Sequence, residues 1–162
     1  VVLHAREAVL GLTPKENRKI PPLQREWAME MRTRLPELQM TFNGEVTSWA
    51  AAGELRGAGF DGVMVGRKII EEPFFMAHSD HLMMGEPESK MTREDVAFKY
   101  AEWLEQERTV STRAEAFDLA PVVNLFVGTE WNRMWKRNLL DKDEYRDPIV
   151  RILKTLDRMK RN

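Results

Sequence analysis

Apolar positions come in short runs through the first half of the chain and in helical spacing through the second. Val1 to Leu3 is wholly apolar and ends at His4, as expected for a strand buried on both faces. Residues 10–22 contain Gly11, Pro14, Pro21 and Pro22, too much punctuation for a regular element and long for a connection, which marks a functional loop. Pro22 suits a helix start, and Leu23, Trp27, Met31 and Leu35 recur every fourth residue to about Leu35. A second strand, Gln39 to Phe42, ends at Asn43-Gly44. Thr47 or Ser48 then caps a small-residue helix from Trp49 to about Arg56, stopped by Gly57 and Gly59. A third strand, Gly62 to Val65, ends at Gly66-Arg67, and a helix to about Ala77 is interrupted near Pro73. Strand and helix alternating three times predict βα units with parallel strands.

After Gly85-Glu86-Pro87 the pattern changes. Thr92 with Asp95 reads as a capped helix start, and helices are expected over about 93–107, 112–127, 131–140 and 147–160. The last carries Ile149, Ile152, Leu153, Leu156 and Met159 on one face, with Arg151, Lys154, Arg158 and Lys160 largely off it. A boundary is therefore expected near residues 85–92.

Composition narrows the class. The chain has 162 residues, no cysteine, 25 Lys plus Arg against 26 Asp plus Glu, and 43% apolar residues. It is neither a disulfide scaffold nor a polyelectrolyte, and it falls short of the roughly 250 residues of a closed eight-stranded α/β barrel. No apolar run reaches the roughly 20 residues of a membrane span, so a soluble chain is expected. An opening at Val1 in a strand, without a basic leader, suggests a segment of a longer polypeptide, and cytoplasm and organelle matrix both stay open. Charge is uneven: residues 1–36 carry net plus 3, residues 37–132 minus 9 and residues 133–162 plus 5. Basic ends suit a polyanion, and they equally suit solvated helix faces.

Two strand ends, Asn43-Gly44 and Gly66-Arg67, fall on the same rim of a parallel sheet. Bare backbone N–H groups there can receive a phosphate, with Arg67 as a cationic fork, although a glycine after a strand is also ordinary turn chemistry. His4 and Arg6 would share that rim. His78 and His81 flank Asp80, but no third donor converges, so they read as a surface turn and no metal site is expected. Lys15, Asn17, Arg18 and Lys19 in the Pro-rich loop, and Arg133, Lys136 and Arg137 among Trp131 and Trp135, suit RNA. Spacing of Trp131, Trp135 and Leu139 by four suits a helix core equally well.

Taken together, His4-Ala-Arg6, Leu12-Thr-Pro-Lys-Glu-Asn-Arg18, Ile20-Pro-Pro-Leu23, Phe42-Asn-Gly44 and Asp61-Gly-Val-Met-Val-Gly-Arg67 resemble the C-terminal half of a tRNA-dihydrouridine synthase of the bacterial A type. Leu125-Phe126, Gly128, Arg133, Trp135, Arg137 and Leu139 resemble its tRNA-recruiting helical domain. The resemblance implies an α/β fold in which residues 1–90 are the C-terminal βα units of a TIM (β/α)8 barrel that binds flavin, followed by an all-α helical bundle over residues 91–162. It implies a reductase of tRNA uridine that uses FMN, with NADPH as reductant. His4, Asn43, Gly44, Gly66 and Arg67 would hold the flavin. Arg6, Lys15, Asn17, Arg18, Arg133 and Arg137 would meet tRNA.

Departures from the family pattern shape these expectations. The half that supplies the family's catalytic cysteine is not in this sequence, so no catalytic residue is assigned here and the chain alone should be inactive. A second chain or segment would complete the barrel. Glu45 stands where the family has glycine, and a carboxylate at ~4 Å from a phosphate would cost on the order of 4 kcal/mol at intermediate dielectric unless it points outward. Ala120-Pro121 and Trp131 replace phosphate-directed or small residues of the recruiting helices. The alternative is a catalytically silent relative acting as a scaffold, or as an RNA- or protein-binding component, of a larger assembly.

Overall fold

The computed structural model describes residues 1–19, 21–107 and 119–161. Its described part is mixed α/β, with a small parallel sheet. The elements are β1 (Val2–His4), α1 (Pro14–Asn17), α2 (Arg25–Arg34), β2 (Thr41–Asn43), α3 (Trp49–Gly57), β3 (Gly62–Met64), α4 (Arg67–Glu71), a 3-10 turn (Pro73–His78), α5 (Ser79–Met84), α6 (Arg93–Glu107), α7 (Asn132–Leu140) and α8 (Pro148–Arg161). They form two compact units, Val1–Lys68 with Leu82–Met84, and Ile69–His81 with Gly85–Asn162.

In the first unit the three strands run parallel in the order β1-β2-β3, with His4 opposite Asn43 and Asn43 opposite Met64. The strand-helix alternation produces this topology because a helical crossover is the simple way to bring the next strand alongside in the same direction. Ala5, Ala28, Met40, Phe42, Val46, Ala52, Leu55 and Phe60 make the core. Phe42, on the central strand, meets Phe60 edge-on at 5.4 Å between centroids. The Asp61 carboxylate accepts the Met40 backbone N–H at 2.8 Å and pins the entry of β2 beside that of β3.

Several expectations need correction here. β1 is not buried on both faces among the described residues: Val2 is 59% exposed and His4 is exposed too. α2 starts at Arg25 instead of Pro22, because Leu23 forms an antiparallel bridge with Arg6 and the Gln24 N–H donates to the Ala5 carbonyl at 2.8 Å. On α2 only Ala28 is buried, and Trp27, Met31 and Leu35 are exposed. Their spacing is helical, but the stripe stays largely open to solvent, with Trp27 and Met31 lining a cleft beside Leu3 and Ala5.

The second unit has its own core, in which Ala97, Ala101 and Leu104 of α6 meet Trp135 and Leu139 of α7 and Ile149, Ile152, Leu156 and Met159 of α8. Thr92 caps α6, its hydroxyl and backbone N–H both donating to the Asp95 carboxylate. That carboxylate is held below its usual range by those two bonds, the backbone one first. The helix expected over 112–127 lies outside the described residues at 112–118, and residues 120–128 run as successive turns around Pro121 and Gly128. Leu125 and Phe126 are nonetheless buried in the core. Arg93 anchors these turns, donating to the Leu125 and Val127 carbonyls at 2.9 and 3.3 Å and lying 4.1 Å over the Phe74 ring. Among the described residues no helix is long and apolar enough to cross a membrane.

Candidate phosphate-facing rim and basic loop

Both features lie at the end of the sheet where the strands finish. His4 and Asn43 end neighbouring strands in register, and the Ala5 N–H donates to the Asn43 carbonyl at 2.9 Å, so pairing continues one residue past β1. Gly44 follows, buried beneath Leu23: a Cβ there would stand 2.6 Å from the Leu23 Cδ1 and 3.3 Å from the Phe42 ring. Close approach, not a special dihedral, favours a glycine at this point, and a larger residue would have to push the Leu23 side chain aside. Gly66 differs, since a Cβ on it would meet nothing within 4 Å. His4, Arg6, Glu7, Trp27 and Met31 line one cleft of about 150 Å³.

The charged groups at this rim have found each other. The Arg6 guanidinium, whose side chain is 6% exposed, donates to the Pro21 carbonyl and, at 2.5 Å, to the Glu45 Oε1. Arg67, half exposed at the start of α4, has its Nη2 3.6 Å from that same oxygen. Glu45 adopts φ 49°, the left-handed region that ordinarily favours glycine. The carboxylate does not point away from the rim. It sits between the two guanidiniums, so the set as it stands does not fit a phosphate: its anion is already supplied by the chain.

The Pro-rich loop contains a short helix that sequence reading missed. Thr13 caps α1 and Glu16 caps back in a reciprocal box, the signature Thr-Pro-Lys-Glu being legible once read that way. Asn17 staples the loop: its amide donates to the Val9 and Leu12 carbonyls at 3.0 and 3.1 Å, and its Oδ1 accepts the Val9 N–H at 2.8 Å. Lys15 and Arg18 are left exposed beside it. Hydrogen bonds first from the Thr13 hydroxyl and then from its backbone N–H hold the Glu16 carboxyl below its ordinary 4.5. A depressed carboxylate contributes stability that is complete above its unfolded value and is lost as pH falls through the lowered one. We expect the Glu16 side-chain resonance to titrate with a midpoint below 4.5 and the Thr13 amide to lose protection together with it. A midpoint at or above the ordinary value would show that the box does not form.

In the second unit, Arg133 and Arg137 are exposed one turn apart on α7. Trp135 is fully buried, its ring 4.5 Å from Phe126 and its Nε1 donating to the Val122 carbonyl at 2.8 Å. Of the two readings of the tryptophan spacing, the core takes Trp135, and Trp131 packs against the same cluster. The two histidines of the 78–88 segment bind locally: His81 Nδ1 lies 2.8 Å from the Glu86 carbonyl oxygen and His78 Nδ1 3.4 Å from the Glu88 carboxylate.

Comparison with known proteins adds a second line. The family model described as dihydrouridine synthase matches residues 1–154. A tRNA-dihydrouridine(20/20a) synthase of Shewanella oneidensis is 32% identical over 154 residues, which is 94% of this chain and 45% of that protein. A protein of the same name from Vibrio cholerae is 33% identical over 138 residues, 85% of this chain and 42% of its own length. The chain thus spans under half the length of these curated relatives.

Proposed function

The chain belongs to the dihydrouridine synthase family, and from that premise we propose that it is the C-terminal part of an FMN-dependent synthase reducing uridine to dihydrouridine in tRNA, with NADPH as reductant. The single observation that carries this reading is the family match over residues 1–154, which includes the Thr-Pro-Lys-Glu-Asn-Arg loop and both strand-end glycines. In the proposal, residues 1–90 are βα units of a flavin-binding TIM barrel and residues 91–162 a helical tRNA-binding domain. The positions 20 and 20a named for the relatives are those carried over.

The part this chain would play is positioning. His4 and Trp27 line the cleft at the strand ends, where a flat ring could rest. Lys15 and Arg18 on the stapled loop, and Arg133 and Arg137 on α7, are exposed cations suited to RNA phosphates. Three strands cannot close a barrel of eight, so the chain alone is expected to be inactive, and a further segment or second chain would complete it.

One observation favours a second reading: the Glu45 carboxylate pairs with Arg6 and with Arg67, a cation proposed to hold the flavin phosphate. On that reading the protein is a silent relative retained as a scaffold or as an RNA- or protein-binding component. The flavin content of the natively purified complete protein, measured by visible absorbance and by release of the flavin, separates the two. Near-stoichiometric FMN supports the synthase; absence of flavin after incubation with excess FMN overturns it in favour of the scaffold.

A further inference from the structure

The two cations at the rim of the sheet are served by an anion from within the chain. We infer that Glu45 is a built-in counter-anion that competes with a phosphate monoester for Arg6 and Arg67, and so sets this rim against phosphate-bearing ligands. Its Oε1 is 2.5 Å from one guanidinium and 3.6 Å from the other, the place an incoming phosphate oxygen would take. Carboxylate and phosphate present guanidinium with the same kind of charged acceptor, so they compete for the donors that face this rim.

Backbone and burial both mark this pairing as built. Glu45 holds φ 49°, a conformation that is costly for any residue with a Cβ and free for glycine. The side chain that accompanies this strain makes the bond to Arg6. The Arg6 side chain is 6% exposed, so losing Glu45 leaves its charge poorly solvated, whereas Arg67 is 55% exposed and solvated. The pair is therefore tight at Arg6 and loose at Arg67. Glu45 itself is 44% exposed, and in this proposal it swings outward to admit a phosphate. A phosphate can enter only when it does, and then has a like charge beside it, so affinity is lowered by competition.

The inference rests on the proposed function only in naming FMN as the phosphate-bearing ligand concerned. It is tested with inorganic phosphate, titrated into the complete protein labelled at arginine, following the side-chain Nε–Hε resonances of Arg6 and Arg67. Glu45→Gln and Glu45→Gly are each expected to bind phosphate at least about tenfold more tightly than the unaltered protein. Adding Arg67→Ala to Glu45→Gln should abolish the gain. Equal affinity in the unaltered protein and Glu45→Gln, or a gain that survives loss of Arg67, overturns the inference. Glu45→Gln keeps a neutral acceptor for the buried Arg6, so it decides the matter even if the glycine variant fails to fold. Phosphate affinity tests Glu45 and flavin content tests the reductase, so either can fail without the other.

Discussion

Trp135→Ala will destabilise the second unit by about 4 kcal/mol, within the range measured when a large buried aromatic is cut to alanine. The indole is wholly excluded from solvent and packs on Phe126 and its neighbours, so its removal leaves a cavity that the surrounding helices cannot fully close. It also takes one of two donors from the Val122 carbonyl, which accepts the Nε1–H at 2.8 Å and the Leu125 N–H at 3.0 Å. Trp135→Phe separates the two losses: most of the volume stays while the hydrogen bond goes, and about 1–2 kcal/mol is expected. Denaturant unfolding followed by far-ultraviolet circular dichroism measures both. A loss below about 1 kcal/mol for the alanine variant would mean that the indole is free in solution and available to stack on a base.

Arg151 should matter almost as much, although it is a cation in a helix whose other basic residues point outward. It is 2% exposed, and its guanidinium donates to the Leu139 carbonyl at 2.7 Å and the Arg146 carbonyl at 3.0 Å. Leu139 lies in the last turn of α7, where carbonyls lack intrahelical partners and the helix dipole favours a positive charge. Arg151→Ala removes both charge-assisted bonds and the packed stem, and about 3 kcal/mol of stability should go with them. Arg151→Met, which retains the stem, should lose about 2 kcal/mol, because the carbonyls are stranded all the same. The same unfolding measurement applies. Equal stability of Arg151→Met and the unaltered chain would show that the stem, not the guanidinium, holds α7 to α8.

Much of the site was legible before the structure. The glycines after the second and third strands, the loop between β1 and α2, and the caps at Ser48 and Thr92 are local signals, each depending on residues within a few positions of one another. Family motifs were equally plain, because they are runs of consecutive residues. Less legible were the choices that needed a neighbour. A stripe such as Trp27, Met31 and Leu35 states that a helix has an apolar side, not that anything covers it, and here it is exposed. Arg151 lies within the sequence of an amphipathic helix and looks solvent-bound until folding sets the Leu139 and Arg146 carbonyls against it.

The sequence by itself determined the strand-helix alternation, the parallel sheet that follows from it, the family, and which residues could stand at the rim. Local spacing suffices for these because backbone propensity, capping and turn chemistry act over a few residues. Only the tertiary structure decided how the charges at that rim are spent. Arg6, Glu45 and Arg67 are far apart along the chain, and parallel pairing sets their strand ends side by side. Whether Glu45 turned outward to water or inward to the arginines depended on the buried Arg6 guanidinium beside it, and burial is a property that no stretch of sequence carries alone.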